Sequence, residues 1–227
     1  MPPRALEPAG VALVDKPAGP SSFAVVAQIR RVTGARTGHA GTLDPFATGL
    51  LLVLSGRATK IASCLVGLDK RYVTEIDLSS RTSTGDPEGG VVERRTPPAE
   101  AELAARLERL RGEVELPIPA ASAVKIGGER AYRLARKGIA VEMPVRRSTV
   151  YALDVIAYTG GSVTLDLHVS SGTYVRAIAD ALGGHCVSLR RTEVGPFAVD
   201  DAVTPEAFDP RSLLPEAEAL ARVGTTA

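Results

Sequence analysis

The stretch GHAGTLDPFATGLLLVLSG, residues 38–56, sets the tightest limits on how this chain can fold. Its LLLVL run, residues 50–54, is apolar throughout and closed by Gly49 and Gly56 on its flanks, which reads as a short buried strand entering the core. Four glycines, Gly38, Gly41, Gly49 and Gly56, punctuate the stretch. Glycine tolerates positive φ and lets another chain approach the backbone closely. The one acid, Asp44, precedes Pro45, so its backbone is pushed away from helix towards extended or turn geometry. The stretch therefore presents a single carboxylate on a shaped loop, anchored by a core strand.

The flanking sequence supplies further strands and a few helices. VALV (11–14) reads as a strand running into the KPAG loop (16–19). Ser21 or Ser22 can cap a helix that Gly34 ends, with Phe23, Val26, Ala27 and Arg30 sharing a face. RYVTEIDLSS (71–80) alternates with period two, placing Tyr72, Thr74, Ile76 and Leu78 together. RTSTGDPEGG (81–90) is turn-rich. Helices are predicted over 96–112, with a Leu103, Leu107, Leu110 stripe, and over 129–138. TVYALDVIAY and SVTLDLHV read as a hairpin turning at Gly160-Gly161, with Val163, Leu165, Leu167 and Val169 inward. SSGTYVRAIADALGG is a loop entering a helix, with Tyr174, Ile178, Ala181 and Leu182 on one side. Sequential, hairpin-like strands with interspersed helices predict an α+β fold around a mixed, mostly antiparallel sheet.

Several functions lose their usual support. The composition, 44% hydrophobic and 23% charged over 227 residues, is that of a soluble globular protein. No apolar run is long enough to span a bilayer, and the N-terminus lacks a signal-type apolar region, so the cytoplasm is the expected compartment. Two cysteines make no disulfide framework. His39, His168 and His185 show no metal-ligand spacing, and neither a P-loop, a dinucleotide fingerprint nor a nucleophile elbow occurs. A cofactor-free, metal-free mechanism built on a carboxylate remains. Charge is uneven: residues 200–227 carry a net −4 and residues 1–199 a net +5, compatible with a polyanionic partner.

Eight motifs stand in order: KPAGPSS (16–22), GHAGTLDPFATGLLLV (38–53), RATK (57–60), KRY (70–72), RTSTGDPEG (81–89), SAVKIGGERAYRLARKG (122–138), SSGTYVRAIA (170–179) and LRRTEVGPF (189–197). Together they closely resemble the bacterial TruB family of tRNA pseudouridine synthases, from about Val11 to Phe197. The resemblance implies a pseudouridine-synthase fold, with a central mixed sheet flanked by helices and an RNA cleft across it. It implies isomerisation of the T-loop uridine, position 55, in tRNA. Asp44 matches the catalytic carboxylate; attack on the base, attack on the ribose and abstraction of a ribose proton are all open to it. Arg176 matches the arginine that pairs with it, which would hold the acid ionised against the effect of burial. Tyr72 matches the tyrosine that stacks on the target base. Tyr174 and Leu189 match residues lining the base pocket, and His39 the histidine that fills or supports the space left by the flipped base. Lys16 and Lys125 match positions that support the active-site loop or contact phosphate.

Arg130, Arg133, Arg136 and Lys137, with Arg30, Arg31, Arg36, Arg146, Arg147, Arg190 and Arg191, are read in part as a phosphate-tracking surface. The expected organisation is a catalytic domain over residues 1–199 and an acidic extension over 200–227 without a complete C-terminal PUA-type domain. The expected partner of this monomer is the tRNA T-arm, with neither guide RNA nor membrane involved. The segment ADALGGHCVSLRR is shorter than the family's usual link, and Ala121 stands where an aromatic is common. The competing expectation is an RNA-binding module or tRNA-folding chaperone without catalysis, disfavoured by the joint presence of Asp44, Tyr72 and Arg176.

Overall fold

The apolar run at 50–54 is the centre of the first of two units. The computed structural model describes residues 8–136, 139 and 141–224. Contacts divide the chain into Met1–Tyr72 with Arg190–Ala227, and Val73–Leu189. The first unit opens with β1 (Gly10–Lys16), α1 (Ser22–Thr33), β2 (Thr37–His39) and β3 (Thr48–Ser55). β3 pairs antiparallel with both β1 and β2. Leu50, Leu51, Leu52, Val53 and Leu54 are all fully buried, so both faces of this strand lie in the interior. Burying one such side chain contributes about 1.5–3 kcal/mol, which makes β3 the anchor of the unit.

Helix α1 starts where expected: the Ser21 hydroxyl accepts from the Ala24 N–H, and Gly34 ends the helix in the left-handed region. Its buried stripe is Ser22, Val25, Val26, Ile29 and Thr33. The predicted stripe through Phe23, Ala27 and Arg30 is rotated from this, and Phe23 is exposed. The small hydroxyl of Ser22 faces inward because it has a bonding task there, described below. A short helix, α2 (Ala62–Val66), leads into β4 (Lys70–Asp77), which begins in the first unit and continues in the second. Lys70, Tyr72, Thr74 and Ile76 form the buried side of β4, as the period-two pattern predicts.

In the second unit, β5 (Ser80–Thr82) and β6 (Val91–Arg94) close the predicted turn-rich loop as a two-stranded ribbon. Then follow α3 (Glu100–Glu108), β7 (Gly112–Pro117), β8 (Lys125–Ile126), β9 (Glu129–Arg130) and α4 (Ala131–Arg136). The side chain of Arg136, and Lys137, lie outside the described residues. Next come β10 (Val145–Tyr158), β11 (Ser162–Val169), α5 (Val175–Leu182) and β12 (His185–Val194). The predicted hairpin is β10–β11, and the unit's sheet runs β12-β4-β11-β10-β7. The short link after α5 works through two glycines. Gly183 takes φ +91°, and a Cβ on Gly184 would stand 2.0 Å from the Asp77 carbonyl oxygen.

The chain re-enters the first unit within β12, whose Arg190 and Arg191 pair parallel with Thr48 and Gly49 of β3. The sheet is thus mixed. β13 (Phe197–Ala198) and α6 (Glu216–Val223) complete the unit. Ala219 and Leu220 of α6 join Val11, Leu50, Leu54, Val194 and Phe197 in one core cluster, and Leu214 bridges to Val11. The acidic residues after 199 therefore ride on a segment packed into this unit. No helix among the described residues is long and apolar enough to cross a membrane.

Candidate active site

Asp44 sits half-buried on a loop held by side chains from three other segments. Lys16, at the end of β1, is fully buried. Its ammonium donates to the carbonyls of Pro17 at 2.8 Å, Pro45 at 3.1 Å and Ala47 at 2.7 Å. Ser22, on α1, bonds both the N–H and the carbonyl of Leu43 at 2.8 Å. Arg191, on β12, donates to the carbonyls of Leu50 at 2.7 Å and Gly41 at 3.1 Å. The Gly19 N–H adds a bond to the Pro45 carbonyl, and the Ala47 N–H closes back on Asp44. Every residue from Leu43 to Ala47 except Phe46 thus has a backbone group fixed. Gly49 is required here: at φ +100° its Cα lies so close to β12 that a Cβ would stand 2.2 Å from the Arg191 carbonyl oxygen. Such a loop presents a carboxylate in one position, the preorganisation that a reacting group needs.

His39 ends β2 opposite Val53, half-buried, with Nδ1 unbonded among the described residues. Burial, and then the Arg191 charge, hold its pKa below the usual imidazole range, so it is neutral near neutral pH. Lys70, on the buried side of β4 with Tyr72, donates to the carbonyls of Val66 at 2.6 Å and of Leu68. Burial first, and Arg191 second, pull its pKa down to about 8. Tyr72 is 7% exposed.

The second unit builds around Arg176, which is buried near the start of α5. Its Nη1 donates to the Thr84 carbonyl at 2.8 Å and stands 3.2 Å from the Asp86 carboxylate; its Nη2 donates to the Ala121 carbonyl at 2.9 Å. Asp86 is itself buried and organises its own turn, accepting from the Thr84 hydroxyl and the Glu88 N–H. Sequence reasoning passed over Asp86 because an aspartate before a proline in a glycine-rich loop reads as a turn residue. It is one, and it is also the carboxylate partner of Arg176. The bond to Ala121 uses its backbone oxygen, so it does not depend on the side chain at that position. Tyr174 immediately precedes α5, Leu189 is buried on β12, and a cavity of about 380 Å³ beside Arg176 is lined by Thr84, Gly85, Pro117, Ile118 and Asp180. Lys125 is exposed on β8, in the segment that follows Ala121.

The eight predicted site residues thus fall four to a unit: Lys16, His39, Asp44 and Tyr72, then Lys125, Tyr174, Arg176 and Leu189. Lys16 directs its ammonium to the carbonyls of Pro17, Pro45 and Ala47. Within the predicted phosphate-tracking group, Arg191 is corrected, and several other members are engaged within the fold. Arg191 is 1% exposed and spends its guanidinium on carbonyls; Arg190 makes a two-pronged pair with Asp15 at 3.0 and 2.9 Å. Arg30 bonds Thr37, Arg130 the Ala123 carbonyl, Arg147 pairs with Glu115, and Arg133 lies over Tyr132. Charge alone did not distinguish arginines that brace the fold from those that face solvent. Among the described residues, no group of three His, Cys, Asp or Glu side chains is placed to hold a metal ion.

Comparison with known proteins agrees with this architecture. Residues 30–175 match the model of the TruB family pseudouridylate synthase, N-terminal domain. A tRNA pseudouridine synthase B of Bordetella avium is 40% identical over 220 residues, covering 90% of each chain. One of Mycobacterium sp. (strain KMS) is 46% identical over 208 residues, covering 85% of this chain and 69% of that one. Among solved structures, one in a Cbf5-Nop10-Gar1 complex superposes with a TM-score of 0.71 at 25% identity, over 94% of this chain and 62% of that chain. With a clamped Asp44 loop, a mixed sheet flanked by helices and these relatives, the chain belongs to the TruB family of pseudouridylate synthases.

Proposed function

We propose that this chain converts the T-loop uridine, position 55, of tRNA to pseudouridine without a cofactor, with Asp44 as the reacting carboxylate. Isomerisation of uridine in tRNA is the reaction its family and named relatives carry. In that reaction the bond from N1 to the ribose breaks, the base turns, and the ribose rejoins at C5. N1 gains a proton and C5 loses one, so no oxidant or energy source is required. One observation carries the assignment of Asp44: its loop is fixed through Lys16, Ser22 and Arg191 while the residue stays half-buried rather than sealed in the core.

The remaining roles follow the family pattern. Tyr72 stacks on the flipped base; Tyr174 and Leu189 line its pocket; Arg176 matches the arginine that the family pairs with its catalytic acid; His39 fills or supports the space the base vacates. A neutral His39 suits that task, since it stacks without bringing an uncompensated charge. Lys125 is exposed and remains available to a phosphate. The T-arm is the part of tRNA recognised, and the enzyme works in the cytoplasm as a monomer. The test is Asp44→Asn with unmodified tRNA, reading pseudouridine by chemical mapping and affinity in parallel. Product formation should vanish while affinity stays within about twofold. Activity above a tenth of wild type, a barrier change of only ~1.4 kcal/mol, would remove Asp44 from its role.

A further inference from the structure

We propose that Arg146, on β10, is a phosphate-binding residue that fixes the RNA backbone against the turn at residues 170–173. The inference rests on the RNA-modifying reading above and assigns one part of its contact surface. Three of the basic residues grouped by sequence have exposed guanidinium groups with no hydrogen bond or ion pair among the described residues: Arg31, Arg36 and Arg146. Arg146 lies against the turn at residues 170–173, which leads into Tyr174 and Arg176. Its neighbour Arg147 is already engaged with Glu115 at 3.5 Å.

The geometry at Gly172 is specific. The residue has φ +78°, and a Cβ there would stand 2.5 Å from Nη2 and 2.6 Å from Cζ of Arg146. The guanidinium therefore lies on the bare face of the glycine, in space that any other residue would fill. The turn itself is rigid. Ser170 and Thr149 exchange bonds, the Ser170 N–H reaching the Thr149 carbonyl and the Thr149 N–H the Ser170 hydroxyl, each at 2.8 Å. The Thr173 hydroxyl closes back on the Ser170 carbonyl at 2.9 Å. Strand β10 thus carries both the bolt that fixes the turn and the cation that rests on it. Tyr174 and Arg176 follow directly in sequence. A planar, permanently charged group lying on a fixed turn, unspent on the protein, and next to a nucleotide-handling loop suits a phosphate oxygen pair.

The experiment uses the whole chain and a T-arm stem-loop RNA. Affinity is measured across a salt series for wild type, Arg146→Met, Arg146→Lys and Arg147→Met. Arg146→Met should weaken binding about tenfold at low salt and lower the slope of log affinity against log salt by roughly 0.7–0.9, one phosphate contact. Arg146→Lys should keep the slope, and Arg147→Met should leave it unchanged. An unchanged slope in Arg146→Met overturns the proposal. So does loss of thermal stability in both Arg146 variants with the wild-type slope retained, which would mean a packing role only. Pseudouridine formation by the wild type, read in the same samples, tests the isomerase reading separately. Wild-type protein that binds RNA but makes no product sinks that reading and leaves the slope comparison decisive for Arg146.

Discussion

Replacing Lys16 by Met separates the two roles that the sequence leaves open for it. Methionine matches the length of the lysine stem and removes the ammonium. Three carbonyls, of Pro17, Pro45 and Ala47, then lose their donor in a site with no exposure. The Pro45 carbonyl keeps the Gly19 N–H, so two acceptors are left unsatisfied; at about 1–3 kcal/mol each they set an upper range of roughly 2–6 kcal/mol. Removing the buried cation recovers several kcal/mol of desolvation. The net expectation is a loss of about 2–4 kcal/mol. With a urea dependence of ~2 kcal/mol per molar, the unfolding midpoint falls by about 1–2 M.

The functional effect should exceed the stability effect at temperatures where the variant remains folded. Two of the three lost bonds hold Pro45, which follows Asp44 directly, and Ala47, whose N–H closes back on Asp44. A displacement of about 1 Å at a reacting group can cost ~100-fold in rate. Single-turnover pseudouridine formation at saturating tRNA should therefore fall by about that factor, with affinity and its salt slope near wild type. A rate within threefold of wild type would refute the claim that Lys16 positions the loop. A salt slope reduced by about one unit would instead identify Lys16 as a phosphate contact.

Three further outcomes are expected. Asp86→Asn removes the carboxylate charge 3.2 Å from the buried Arg176 guanidinium and should cost about 3–5 kcal/mol in urea unfolding; a change below ~1 kcal/mol would mean the pair carries little energy. Gly49→Ala places a Cβ 2.2 Å from the Arg191 carbonyl oxygen at φ +100°, so the soluble yield and melting temperature should fall sharply, and a wild-type melting curve would contradict the close approach. His39 has a folded pKa below its unfolded value, so between those values the unfolded state binds more protons and stability rises with pH. Stability should accordingly be lost as pH falls from about 6.5, and His39→Gln should flatten that part of the profile; identical profiles for the two proteins would exclude the effect.

Local signals in the sequence were readable and long-range bonds were not. The period-two run of β4, the apolar run of β3 and the glycines of the Asp44 loop each act within a few residues, and each appears where expected. Helix α1 begins and ends as predicted, but its buried face keeps only Val26 of the predicted one, because Ser22 turns inward to hold Leu43 and Phe23 is left exposed. Asp86 looked like a turn residue because its second bond, to Arg176, leaves no local mark. The bonds around Asp44 show why such contacts stay hidden. Lys16 reaches across 31 residues to Ala47, and Arg191 across 141 and 150 residues to Leu50 and Gly41. Their acceptors are backbone carbonyls, which every residue possesses. Only the donor end is written in side-chain identity, so Lys16, Ser22 and Arg191 carry the information that fixes the loop. Positions such as Pro45, Ala47 and Leu50 contribute through backbone shape and packing. Substitutions that spare the backbone at the acceptor positions should therefore be milder than loss of any one donor.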